Sequence, residues 1–192
     1  MTSIFVVLAL FLQRGLDATA LQVGLVSLPN ALISGYAAMW SGKRAVEHGR
    51  GVQVMALILM LVGVLGSVAV IWGVEYGISF WWLMIPLTVL GFGQGAMGAA
   101  NQTQSMLDVP ATAGGTAGGV MQTGQRIATA IGNAIITAIF FLGQRLYAGD
   151  DGWYIGIILA YVAVIFFIVL ALVISIAFWR DGYKERHGEL AK

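Results

Sequence analysis

Long apolar runs broken by short polar breaks dominate the chain from end to end. Five runs are long enough to cross a bilayer, which takes about 20 mostly apolar residues. They fall near residues 21–40, 52–74, 78–100, 113–142 and 153–179. A shorter run near residues 2–12 precedes them and reads as half a transmembrane helix whose first turns are missing. Ala18-Thr19-Ala20 beyond it has the look of a signal-peptidase site, but no lysine or arginine precedes the apolar run and Arg14 and Asp17 interrupt the approach. The expected fold is all-α: a polytopic membrane helix bundle over residues 1–179 with a tail at 180–192.

The runs differ in where they carry polar residues. Those near 52–74 and 153–179 are apolar almost all round, as expected of helices facing lipid. The others carry polar stripes at helical spacing. Ser27, Asn30 and Ser34 share a face in one, and Gln94, Asn101 and Ser105 in another. Gln122, Arg126, Thr129, Asn133 and Thr137 form a third, opposite Val120, Ile127, Ile131 and Ile135. Counting the half-span, the order is helix, striped, apolar, then striped, striped, apolar. Two three-helix repeats of a transporter give this pattern, and so does an ordinary bundle.

Composition agrees: 59% of residues are hydrophobic and 10% charged, against about 25% charged in an ordinary soluble domain. The mean hydropathy is +0.86. The basic residues are few and scattered, so the net charge of +1 gives no basis for nucleic-acid binding. With no cysteine there is neither a disulfide framework nor thiolate chemistry. Lys43, Arg44, Arg50, Arg180, Lys184, Arg186 and Lys192 gather on one side of the expected topology, and Arg14 and Arg145 on the other. The positive-inside rule therefore predicts a cytoplasmic C-terminus.

Between Gly91 and Gly132 lie ten of the 26 glycines. Pairs at four-residue spacing, Gly91/Gly95, Gly114/Gly118 and Gly115/Gly119, suit close helix approach in lipid. The expectation is that this hairpin forms a tightly packed core whose Arg126 stripe faces inward. Arg126 lies 13 residues past Ala113, about 20 Å along a helix. That depth favours an aqueous cavity or a buried partner over snorkelling. No acidic residue lies within a span, so a proton-coupling carboxylate is expected outside this chain. Gly93-Gln-Gly95-Ala-Met-Gly98 matches a dinucleotide fingerprint only in spacing, because it ends a membrane span. No catalytic triad, metal cluster or carboxylate pair stands at membrane depth, so neither an enzyme nor a cofactor is expected.

The Leu28-Pro29-Asn30-Ala31 segment, the Gly42-Lys43-Arg44-Ala-Val46-Glu47-His-Gly49-Arg50 loop and Leu107-Asp108-Val109-Pro110 leading into Ala113–Gly132 carry a family likeness. Together they resemble the C-terminal half of major facilitator superfamily transporters, nearest the 14-helix drug:proton antiporter branch. The loop resembles the family's gating motif at Gly42, Gly49 and Arg50. It departs at Val46, where the motif has aspartate, at Glu47, where it has a base, and at Gly51, where it has the final base. The resemblance implies proton-coupled multidrug efflux by alternating access, with a bilayer, a missing N-terminal half, protons and a small cationic or amphipathic substrate as partners. Asn30, Gln94, Gln122, Arg126 and Asn133 are the expected cavity wall, and Gly42, Lys43, Arg44, Gly49 and Arg50 the expected gate. Gly91, Gly95, Gly114 and Gly118 are expected to pack helices. The other readings are a non-transporting membrane scaffold or inactive truncated product, and a facilitator for a small metabolite.

Overall fold

A computed structural model describes residues 2–107, 109–146 and 151–189; among these, the side chains of residues 2, 47, 111, 151 and 178–189 are not described. All regular structure among the described residues is helical. Helix α1 (Ser3–Gly15) is short and apolar, and its last turn, Phe11–Gly15, widens to a π-helix. Five helices long and apolar enough to cross a membrane follow: α2 (Ala20–Val46), α3 (His48–Glu75), α4 (Phe80–Met106), α5 (Gly114–Leu146) and α6, whose spanning stretch is Gly152–Ala177. The chain is a multi-pass, all-α membrane bundle. The helical backbone of α6 runs on to Glu189, through most of the segment expected as a tail.

Local chemistry sets the ends. Ala18-Thr19-Ala20 starts α2 with a reciprocal cap: the Gln22 backbone N–H donates to Thr19 Oγ1 at 3.3 Å, and the Thr19 N–H donates to Gln22 Oε1 at 2.8 Å. Asp17 just before it adopts φ 51°, and Gly77 turns the chain after α3 at φ 92°.

The loop from Gly42 to Arg50 is shorter than expected: α2 runs helical to Val46 and α3 begins at His48, and the two helices meet at a kink where His48 leaves helical geometry (φ −126°, ψ 28°). Lysine, arginine, alanine and glutamate form helices readily, and each glycine costs only about 1 kcal/mol relative to alanine. The guanidinium of Arg44 lies 4.2 Å from the centre of the Trp40 ring one turn earlier, which further favours helix.

Helix α4 seats between α2 and α3. It runs parallel to α2, joined by three side-chain-to-backbone bonds. Asn30 Nδ2 donates to Leu87 O at 2.8 Å, Ser41 Oγ to Ala96 O at 2.8 Å, and Gln104 Nε2 to Ala45 O at 2.6 Å. A Cβ on Gly91 would stand 2.5 Å from Asn30 O, and one on Gly95 would overlap the Ser34 carbonyl. At these two glycines the α2 and α4 backbones approach so closely that no Cβ fits. Toward α3, Gly63 faces the Leu90 backbone, and Gly93 faces Ala56 O and Met60.

Helix α1 occupies the corresponding seat against α5 and α6. Ser3 Oγ bonds Asn133 Oδ1 of α5, and the Phe11 and Tyr154 rings meet edge-on at 5.2 Å. Ile4, Val7, Leu8, Phe11 and Leu12 are buried there. The first helix of each triplet thus nests against the second and third helices of the other.

The hairpin expected between α4 and α5 is not a packed core. A Cβ on Gly114 would find nothing within 4 Å, nor would one on Gly115 or Gly119, and Gly118 has only the Met106 methyl nearby. Small-residue spacing permits close approach, but a second backbone must lie on that face, and here α4 spends its glycines on α2 and α3. Helix α5 is held instead at its far end, where Gly143 and Gly156 bring it backbone-to-backbone with α6.

Candidate functional site

Because α5 is anchored only at its far end and against α1, its other half stands clear of the bundle. Every residue from Gln122 to Ile131 is exposed. On one flank Gln122, Gln125, Arg126, Thr129, Ala130 and Asn133 line a groove of about 340 Å³. Thr123 and Thr129 turn their hydroxyls back onto the carbonyls of Gly119 and Gln125, at 2.8 and 2.7 Å. Among the described residues that leaves the Gln122 and Gln125 amides, the Asn133 amide nitrogen and the guanidinium as the groove's free polar groups. Arg126 has no hydrogen-bond or ionic partner among the described residues.

Magnitude shows why this is unusual. The 33 residues of α5 make about 50 Å of helix, against a hydrocarbon core of about 30 Å. Centred on that core, the helix would place Arg126 roughly 8 Å inside it. An unpaired guanidinium there costs at least about 2.5 kcal/mol on insertion scales. A groove filled with water or covered by a polar surface removes that cost.

The expected cavity wall therefore divides. Gln122 and Arg126 share the groove with Asn133, whose carbonyl oxygen also takes the bond from α1. From Gln122 to Thr129 the stripe faces out of the described bundle, which corrects the inward-facing expectation there, while its Asn133 end meets Ser3 of α1. Gln94 is half-buried on α4, apart from the groove, and its Nε2 is enclosed with no partner. Asn30 is 5% exposed and committed to the Leu87 carbonyl, so it ties α2 to α4 rather than lining a cavity.

At the end of the bundle bearing Lys43, Arg44 and Arg50, Lys43 and Arg44 are exposed on the continuing α2, and Gly42 has open space around it. Gly49 is buried under Gln104, whose amide occupies the place a Cβ would take. Its smallness serves that contact rather than a turn. Arg50 borders a second cavity of about 390 Å³ with Gln53, Asn101, Gln104 and Ser175. Sequence reasoning missed Gln104 and Gln125. Gln104 lies off the Gln94–Asn101 stripe but seven residues beyond Met97, on the same helical face. Gln125 precedes Arg126 and was legible as a widening of its stripe.

These features define a polytopic membrane protein with a polar groove on a transmembrane helix. Among characterised proteins, the chain is similar to the lincomycin resistance protein LmrB of Listeria monocytogenes serovar 1/2a, 26% identical over 146 residues. It is also similar to the lincomycin resistance protein LmrB of Listeria innocua serovar 6a, 25% identical over 146 residues. Each match covers 76% of this chain and 30% of the relative, so the chain spans less than a third of the curated relatives it matches. No family model matches, and no solved structure matches.

Proposed function

We propose that the chain is the C-terminal helix bundle of a secondary transporter of the major facilitator superfamily, nearest the 14-helix drug:proton antiporter branch. It sits in the plasma membrane with the basic end and C-terminus cytoplasmic, and it works by alternating access against an N-terminal bundle. The observation that carries this reading is the unpartnered polar groove around Arg126 on a helix built to cross a membrane. Two others support it. Gly114, Gly115 and Gly119 leave the same helix smooth for a docking partner, and relatives named for drug resistance are more than three times as long as the aligned stretch.

In this reading Gln122, Gln125, Arg126 and Asn133 face the path of a small amphipathic or cationic substrate. Protons are carried by acids of the other bundle, because the described spans of this one hold no aspartate or glutamate except Glu75, the last residue of α3. Lys43, Arg44 and Arg50 stand at the cytoplasmic gate. The test is Arg126→Ala in the protein assembled with its completing bundle, with lincomycin and a fluorescent cationic dye followed in inverted membrane vesicles. Efflux should fall at least about tenfold, the loss of some 1.4 kcal/mol. The amount and thermal stability of folded protein should hold, because Arg126 bonds nothing among the described residues. Efflux at the wild-type rate would remove the groove from the pathway.

A further inference from the structure

Helices α5 and α6 meet like the arms of a V. They touch at Gly143 and Gly156 and diverge toward the basic end, where α5 is exposed all round. The V holds a cleft of about 620 Å³, well inside the range of small-molecule sites. Met60 and Met97 form its floor, Val164 and Ile168 its α6 wall, and Ile131 and Phe167 its mouth. Floor and wall are buried or half-buried, while Ile131 and Phe167 are 55% and 45% exposed. The floor is adaptable, because thioether side chains reshape around different apolar guests.

The cleft does not end in apolar surface. It shares Leu57, Met97 and Ala171 with the cavity of about 390 Å³ at the basic end. That second chamber presents Gln53, Asn101 and Ser175, each half-buried and none bonded through its side chain among the described residues. Unpaired amides and hydroxyls in a confined space are costly unless something bonds them. Among the described residues no carboxylate lines either chamber. Arg50 borders the polar one but already has a partner.

We propose that the two chambers form one amphipathic binding site, which takes a small molecule with an apolar body and an uncharged, hydrogen-bonding head. The body fills the methionine-floored cleft, passes the throat at Leu57 and Ala171, and places hydroxyl or amide groups against Gln53, Asn101 and Ser175. Among the described residues a cationic head would find no carboxylate there, and a phospholipid's phosphate would find only Arg50, which already has a partner. The site lies on the flank of α5 away from Arg126 and shares only Thr129 with the polar groove. It is therefore separate from the groove assigned above to transport, and the failure of either assignment leaves the other standing.

The probe is octyl glucoside carrying a diazirine at the tail end, added to the full chain in phosphatidylcholine nanodiscs, with adducts mapped by mass spectrometry. The expected result is saturable labelling of Met60, Met97 and Phe167, displaced by excess octyl glucoside. Ala171→Trp should close the throat and abolish that labelling. Asn101→Ala, which leaves the apolar packing intact, should raise the half-saturating concentration about three- to tenfold, as expected for one lost hydrogen bond. Non-saturable labelling of the outward residues Val162, Phe166 and Val173 would show bilayer partition alone and overturn the proposal. Labelling displaced by phosphatidylglycerol but not by octyl glucoside would also overturn it, because the occupant would then be a lipid.

Discussion

Replacing Gly91 by alanine tests whether the α2–α4 contact holds the first half of the bundle together. The added methyl would stand 2.5 Å from Asn30 O and 2.9 Å from both Asn30 Cα and Nδ2, too close for any of them to remain in place. Overpacking of this kind costs about 1–3 kcal/mol. Moving α2 away also stretches the bond from Asn30 to Leu87 O, and an interhelical bond in a membrane protein contributes about 0.6–1.7 kcal/mol. Alanine's helix propensity offsets about 1 kcal/mol of that. The net expectation is a loss of about 1–3 kcal/mol. Gly98→Ala on the same helix is the control, because a Cβ there meets nothing within 4 Å. Propensity alone should make it neutral or about 1 kcal/mol stabilising. Reversible unfolding in mixed micelles by added dodecyl sulfate gives both values. Trp40 fluorescence is a local reporter, since its ring centre lies 5.6 Å from that of Phe92 on α4. In an Asn30→Ala background the Gly91→Ala cost should shrink, because one of the atoms it strikes is gone. If Gly91→Ala is as stable as Gly98→Ala, the close crossing of α2 and α4 is wrong.

Gly49→Ala should destabilise by expelling the Gln104 amide from its seat and breaking its bond to Ala45 O; in a Gln104→Ala background most of that cost should disappear in the same unfolding assay. Gly143→Val should force α5 from α6, because even a Cβ there would lie 2.7 Å from Gly156 Cα. We expect a loss of more than about 2 kcal/mol, while Gly115→Val, facing open space, should leave the isolated bundle within about 1 kcal/mol of wild type.

The spans were legible because twenty apolar residues in a row have few other fates. The triplet pattern was also legible, and the reciprocal seating of α1 and α4 gives it a structural counterpart. The segment from Gly42 to Arg50 was legible as the place where two spans meet, but not how short the break is: helical backbone runs up to Val46 and resumes at the His48 kink, because charge and glycine do not by themselves end a helix. Gly91/Gly95 and Gly114/Gly118 have identical spacing and opposite fates, because spacing describes one helix and packing requires two. The role of Asn30 was unreadable for the same reason: its acceptor is a backbone carbonyl 57 residues away, and backbone carbonyls carry no sequence signature. The Arg126 stripe was visible as a stripe, but its direction depends on where α6 and α1 attach.

The reciprocal seating has a consequence for how the chain is made. Helices α2 and α3 enter the bilayer with an empty berth lined by Gly63, and only α4, synthesised next, can fill it. Helix α1 waits longer. Its buried face of Ile4, Val7, Leu8, Phe11 and Leu12 meets its lasting neighbours only after α5 and α6 have emerged, more than 100 residues later. Until then lipid, or a membrane chaperone, must stand in for them. Helices translated well after α1 are thus the ones that close around it.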